Sequence, residues 1–321
     1  MPDQVINLLD KKKRGNHHWW PKSIQRHWIN SDGQIHQRTG DAVEPKNPEN
    51  DRTGCSRNQH YFDVGDSPWS HSFECAFQAV DTEGAEVVRL CMRRVKETPS
   101  YRISRAKFLS WPPLNSVATH TKYDCLDSED TRRLARLALS VAIRSPAFQF
   151  KKSLPHTSFF PSDAPNKSLG TANIWHYWAD LYAEPLLPYN PMSVIFLISA
   201  NGSEFVFGDG LFENVIDRKR LTPSKGGGWR ALYSGGIMFP LSPDICCVIH
   251  FNSRRGQRLA ILSTEETEEV NTITCLSSRD KIYFRTHDQP KFKPQHSPDI
   301  RKVSLDPSSF LRPWFETAPS P

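Results

Sequence analysis

Apolar residues recur along this chain at two different periods, and the change between them divides it. Phe73, Phe77, Val80, Gly84, Val87, Cys91 and Val95 stand three or four positions apart, which puts them in one stripe on a helix over residues 70–96. Gly84 within that stripe costs about 1 kcal/mol relative to Ala unless another backbone packs closely there. Leu134, Leu137, Ala138 and Val141 predict a second helix, opened by Asp127 or Ser128 as N-cap and ended before Pro146. Between these elements the chain is more polar. Residues 40–58 read as a loop, and residues 153–189 as an irregular, proline-interrupted stretch with a short aromatic helical segment over 174–182.

Past residue 190 the pattern becomes that of an antiparallel sheet. Residues 193–200 and 204–207 flank Asn201-Gly202, a strong hairpin signal because both central residues favour positive φ. More strand material follows at 229–233, 236–239 and 245–251, punctuated by Gly235-Gly236, Pro240 and Pro243. A closing helix is expected over 264–276, with Glu265, Glu266, Glu268 and Glu269 near its N-terminus, where the helix dipole favours them. Helices first and strands later predict an α+β fold: a helical N-terminal half packed on a mostly antiparallel sheet from the C-terminal half. The long helix is expected to lie directly on that sheet. Residues 15–287 then form one domain, between a flexible basic N-terminus (1–14) and a proline-rich, loosely attached tail (288–321).

Composition narrows the picture. The 321 residues carry 37% hydrophobic and 11% aromatic side chains, enough for a core and too many for intrinsic disorder. The longest apolar run, around Val194 to Ala200, falls far short of the ~18 residues of a membrane helix. The first ten residues lack the pattern of a signal peptide. A cytoplasmic protein with no membrane contact is therefore expected. Seven cysteines without a C-x-x-C pair point to reduced thiols, against a disulfide framework or a zinc ribbon. Net charge is +6, with its densest basic run at Lys11-Lys12-Lys13-Arg14. That balance tolerates a nucleic-acid partner without requiring one.

A series of short motifs runs through the chain. It begins with Gly15-Asn16-His17-His18-Trp19-Trp20-Pro21 and the following Lys22-Ser23-Ile24-Gln25-Arg26-His27-Trp28. An acidic-aromatic helix around Glu74 and Asp81 comes next, and then Arg144-Ser145-Pro146. Phe205-Val206-Phe207-Gly208-Asp209, Pro240-Leu241-Ser242-Pro243 and Asn271 complete the series. In this order the motifs resemble the bacterial family catalogued as domain of unknown function 4238, over about residues 15–285. The resemblance implies a fold boundary and a set of positions, but no reaction. One departure stands out: where that family has serine-aspartate-asparagine-proline, this chain has Gly208-Asp209-Gly210-Leu211.

Two readings of these positions compete. In the first, His18, Glu74, Arg144 and Asp209 are catalytic residues of a phosphodiesterase or nuclease-like hydrolase. His18 would be the general acid or base, and Arg144 would stabilise phosphate charge. Glu74 and Asp209 would orient water or hold Mg²⁺ or Mn²⁺, hard cations suited to carboxylates. Arg26 and Asn271 stand as binding positions. In the second reading the protein is a non-enzymatic binder or regulator, and the same residues form a structural network. Arg144 then bridges to Glu74 or Asp81, which lie seven apart on one helix face, while Arg89, Arg93 and Arg94 are local partners for the two carboxylates. Asp209 is a turn residue. Ser242 lacks the G-x-S-x-G surroundings of a nucleophile, and Cys246-Cys247 reads as buried packing. Trp19, Trp20 and Trp28, beside Lys22 and Arg26, would suit stacking on single-stranded nucleic acid, although core packing accounts for at least two of them.

Overall fold

A computed structural model describes residues 10–11, 16–51, 53–57, 61–62, 71–72, 74–98, 121–122, 125–148, 192–199, 202–212, 220–223, 229–232, 235–251, 256–286, 309 and 311. In chain order the first elements are β1 (Asp10–Lys11), β2 (Asn16–His18) and α1 (Lys22–Gln25), the last running into a 3-10 turn at Arg26–Trp28. β3 (Ile35–Thr39), β4 (Ala42–Lys46), β5 (Cys55–Arg57), β6 (Tyr61–Phe62) and β7 (His71–Ser72) precede the long α2 (Glu74–Glu97). Then come β8 (Thr121–Lys122), α3 (Ser128–Arg144), β9 (Met192–Ile198), β10 (Phe207–Gly208), β11 (Arg220–Pro223) and β12 (Trp229–Leu232). β13 (Gly235–Ser242), β14 (Ile245–Phe251), β15 (Gln257–Ile261), α4 (Thr264–Ser277) and β16 (Lys281–Phe284) close the series.

The predicted stripe of α2 is buried at Phe77, Val80, Val87, Cys91 and Val95. Its principal partner, however, is α3 and not the sheet, and α3 in turn touches β13. The reason lies in α3, whose buried residues include Leu134, Ala135, Leu137, Ala138, Leu139, Val141, Ala142 and Ile143. An apolar surface that wide serves a helix on one side and a sheet on the other. At the helix crossing, Gly84 admits the Leu137 side chain: a Cβ at that position would lie 2.6 Å from Leu137 Cδ1.

The larger sheet has the order β13-β14-β9-β15-β8 and is antiparallel except between β9 and β15. A four-stranded antiparallel sheet has the order β10-β16-β3-β4. The fold is thus α+β, but the division into a helical first half and a sheet-forming second half fails among the described residues. β3 and β4 extend β16, and β8 extends β15. The expected loop at 40–58 contains both β4 and β5. β4 escaped a periodic reading because it is a mostly exposed edge strand with Pro45 between Glu44 and Lys46. Proline and charge are what such an edge tolerates.

The expected hairpin at Asn201-Gly202 does not form, although Gly202 has φ of 80°. β9 is buried from Ser193 to Ile198 and pairs on one side with β14 and on the other with β15. No edge remains for the following segment. Phe205 N–H instead donates to Pro243 O at 2.7 Å, and Phe207 and Gly208 pair with Tyr283 and Ile282.

α4 starts with a capping box in which Ser263 and Glu266 satisfy each other's backbone N–H groups. Two residues of the tail are described, and both are anchored. Leu311 is fully buried, and the Ser309 hydroxyl donates to the Glu269 carboxylate on α4. Most of the N-terminal basic run and the whole of the expected helix at 174–182 lie outside the described residues. Among those described, no helix is long and apolar enough to cross a membrane.

Candidate functional site

Arg144 is the last residue of α3. Asp127 starts that helix, accepting from the N–H groups of Glu129 and Asp130 at 2.8 and 2.7 Å, and the chain leaves it at Ser145, before Pro146. The Arg144 side chain is 0% exposed. Nη1 donates to Asp81 Oδ2 at 2.9 Å and Nη2 to Asp81 Oδ1 at 2.5 Å, the bidentate geometry for which a guanidinium is suited. Nη1 also reaches the backbone carbonyl of His18 at 3.1 Å, and Nε reaches that of Ser140 at 3.2 Å. The guanidinium carbon lies 4.5 Å from the centre of the Phe77 ring. All three nitrogens are engaged within the protein. The bridge from α3 therefore goes to Asp81, whose side chain is 25% exposed.

His18 ends β2, pairs with Cys55 on β5 and is half-buried. It contributes its backbone carbonyl to Arg144. Glu74 begins α2, two turns before Asp81, and its side chain lies outside the described residues. Arg89 and Arg93, expected as local partners of the carboxylates, are exposed, and Arg89 Nε donates to Ala85 O on its own helix at 3.3 Å. Arg94 instead donates to Cys125 O.

Asp209 meets the same corner through its backbone. Its carbonyl accepts from Ala147, three residues past Arg144, at 3.1 Å, and its N–H donates to Lys281 O at 3.0 Å. The side chain is 1% exposed. Oδ1 accepts from Arg279 N–H at 2.7 Å, and Oδ2 from Asp280 N–H at 3.0 Å. Asp209 thus fastens the turn from α4 into β16. Burial pushes its carboxyl up to about 6, even though these backbone N–H groups favour the charged form. Close packing favours glycine on both sides of Asp209. A Cβ at Gly208 would overlap Ser278 Oγ, and one at Gly210 would overlap the carbonyl oxygen of Ser277.

Asn271, expected as a binding position, is buried on α4 and pins the strand segment before Asp209. Its Nδ2 donates to Glu204 O at 2.8 Å, and its Oδ1 accepts from Val206 N–H at 2.9 Å. Ser242 Oγ accepts from Asp244 and Ile245 N–H at 3.2 and 3.1 Å, closing the β13–β14 turn. Arg26, the other binding position, is exposed and pairs with Glu49 at 3.0 Å.

The three tryptophans are core residues. Trp19, Trp20 and Trp28 are 2%, 0% and 0% exposed, and Trp20 stacks on Phe207 at 4.3 Å and 8°. No ring among them is open to a nucleic-acid base, which removes the stacking platform. Cys55, Cys91, Cys125, Cys246, Cys247 and Cys275 are buried free thiols. Burial raises Cys246, Cys247 and Cys275, the last to about 12, so none of these three is an activated nucleophile.

Two features had little sequence signal. Gln25 Nε2 joins Trp20 O and Thr53 O at 2.6 and 3.0 Å, tying α1 to the turn before β5. Arg285 bridges Glu204 at 2.5 Å and Asp244 at 3.1 Å. Both contacts depend on residues far apart in the chain. Among the described residues, no group of three or more His, Cys, Asp or Glu side chains is placed to hold a metal ion. Compared with known proteins, the chain matches no family model, no curated protein and no solved structure.

Proposed function

We propose that this chain is a non-catalytic binding protein, in which the motif residues lock the fold and the exposed surface meets the partner. The observation that carries this reading is Arg144, buried and engaged at all three nitrogens by Asp81, His18 and Ser140. As a hydrolase using His18, Glu74, Arg144 and Asp209 with Mg²⁺ or Mn²⁺, the protein would have to draw Arg144 away from Asp81 to stabilise phosphate charge. Breaking such a pair costs about 3–5 kcal/mol. Asp209 would likewise have to release the turn it fastens.

Kinship with the domain of unknown function 4238 family belongs to the same proposal. On it, the matched residues are fold-defining: Asp81 and Arg144 join two helices, Asp209 and Asn271 hold α4 to its neighbours, and Ser242 closes a turn. The partner class that suits a cytoplasmic chain of net charge +6 is a nucleic acid.

The test is an assay of the parent protein with bis(p-nitrophenyl) phosphate and with single- and double-stranded RNA and DNA, with Mg²⁺ and with Mn²⁺. No turnover above the buffer rate is expected. Turnover that disappears in His18→Ala, while the variant keeps the parent's melting temperature, would overturn the proposal. That variant is informative because the bond from Arg144 goes to the residue 18 backbone carbonyl, which alanine retains.

A further inference from the structure

We infer that the outward face of the C-terminal half of α2 is a contact surface for the phosphate backbone of a nucleic acid, met by Arg89, Arg93 and Lys96. The inference rests on the binding reading above and adds to it a surface and the residues that compose it.

These residues stand at positions i, i+4 and i+7, so at ~100° per residue they fall within an arc of about 60°. At 1.5 Å per residue they rise along the helix in steps of about 6 and 4.5 Å. All three are exposed. Glu86 and Glu97 stand three residues before Arg89 and four after Arg93, positions from which an ion pair often forms. Neither pairs with them here, and no carboxylate of any described residue does.

Several arginines outside this row do have carboxylate partners. On α3, Arg132 and Arg133 lie 2.9 to 3.6 Å from Glu129 and Asp130, and on the 3-10 turn Arg26 holds Glu49. Arg94, the neighbouring cation on α2, turns aside to the Cys125 carbonyl. The helix dipole accounts for a cation in the last turn, which covers Lys96 but not Arg89, two turns earlier.

The row is also dense in charge. His27, from the turn packed beside α2, is pushed below its ordinary value by partial burial and then by the positive charges of Lys96 and Arg89. A straight row of cations, with all three tryptophans of the adjoining N-terminal segment withdrawn into the core, fits a regular line of phosphates read without base stacking.

The experiment is fluorescence anisotropy on the full chain with a labelled RNA duplex and a labelled DNA duplex of mixed sequence, between about 50 and 200 mM salt. The parent should bind and weaken steeply with salt. Arg89→Ala/Arg93→Ala/Lys96→Ala should lose more than tenfold in affinity at the lower salt and reduce the salt slope by about 2.7. Arg132→Ala/Arg133→Ala, whose charges are already engaged, should bind like the parent. In an NMR titration the His27 pKa should rise when the duplex is added, because phosphates neutralise the cations beside it. If the parent binds and the triple variant binds equally well, the surface assignment is overturned while the binding reading stands. If the parent binds polyglutamate but no duplex at about 50 mM salt, the nucleic-acid assignment is overturned. The turnover assay judges the non-catalytic reading separately.

Discussion

One helix carries two kinds of charge. Near its start, α2 turns Asp81 toward the fully buried Arg144, where the pair is bidentate and backed by the His18 carbonyl and the Phe77 ring. Toward its end it presents Arg89, Arg93 and Lys96 to water without a carboxylate partner among the described residues. The difference decides what each set can do. Taking a guanidinium out of water is costly, so a buried one persists only where the protein supplies its partners, and those partners leave it little capacity for a ligand. An exposed cation keeps its hydration and remains available to any polyanion that displaces it. Position in the motif series and availability to a ligand therefore differ: Arg144 is held within the fold, whereas Arg89, Arg93 and Lys96 are exposed.

Breaking the inner pair should have the largest effect. Arg144→Met is expected to lose about 3–5 kcal/mol in urea unfolding, because it strands Asp81 and the His18 and Ser140 carbonyls. Arg144→Lys should recover only part of this, since an ammonium cannot reproduce the planar fork. Adding Asp81→Leu to Arg144→Met should restore stability relative to the single variant, because replacing both members of a pair costs less than orphaning one. A loss below about 1 kcal/mol for Arg144→Met would place Arg144 with the exposed cations and erase the contrast.

The second prediction uses pH at the buried end of the comparison. The Asp209 carboxyl is raised from 3.8 to about 6 in the fold, chiefly by burial. Between those values the native state binds more protons than the unfolded chain. The stability this group contributes is therefore fully present below 3.8 and is lost as pH rises through about 6. Asp209→Asn cannot titrate. The parent should gain on the variant by up to about 3 kcal/mol as pH falls from 7 to 4, read as the difference between their urea unfolding free energies. A gap that stays constant over that range would show that the carboxylate is not held in a desolvated site.

How legible these regions were in the sequence follows from the range of the contacts. α2 and α3 were readable because apolar spacing is local, as is the Asp127 N-cap of α3, and α4 because acidic residues crowd its first turns. β14 was readable because six of its seven residues are apolar, His250 being the exception. The hairpin at Gly202 was not, because its turn signal was outweighed by the two neighbours that a fully buried β9 requires. β4 was missed because an edge strand protected by proline and charge resembles a loop. At the site, the sequence placed Arg144 on the right helix end and named Asp81 among its partners. It left Glu74 equally eligible, since two residues seven apart on one helix share a face and only the tertiary approach of α3 separates them. The glycines around Asp209 read as turn residues; their need for close contact with Ser277 and Ser278 arises about seventy positions away.

The smallest expected effect sharpens the comparison from its exposed side. Arg26 belongs to the same N-terminal motif as His18 and pairs with Glu49 at 3.0 Å, with both side chains more than half exposed at 61% and 51%. An exposed pair gains little Coulomb energy in water and loses side-chain freedom on forming, so its net contribution is about 0.2–1 kcal/mol. Arg26→Ala should therefore change stability by no more than about 0.5 kcal/mol. A double-mutant cycle with Glu49→Ala should return a coupling of similar size that shrinks further at high salt. This is the counterpart of the Arg144 experiment: the same residue type in the same motif series, with roughly a tenth of the effect, because water replaces the partner that is removed. A coupling above about 2 kcal/mol would mean that the 3-10 turn depends on this pair, and Arg26 would then join the structural network.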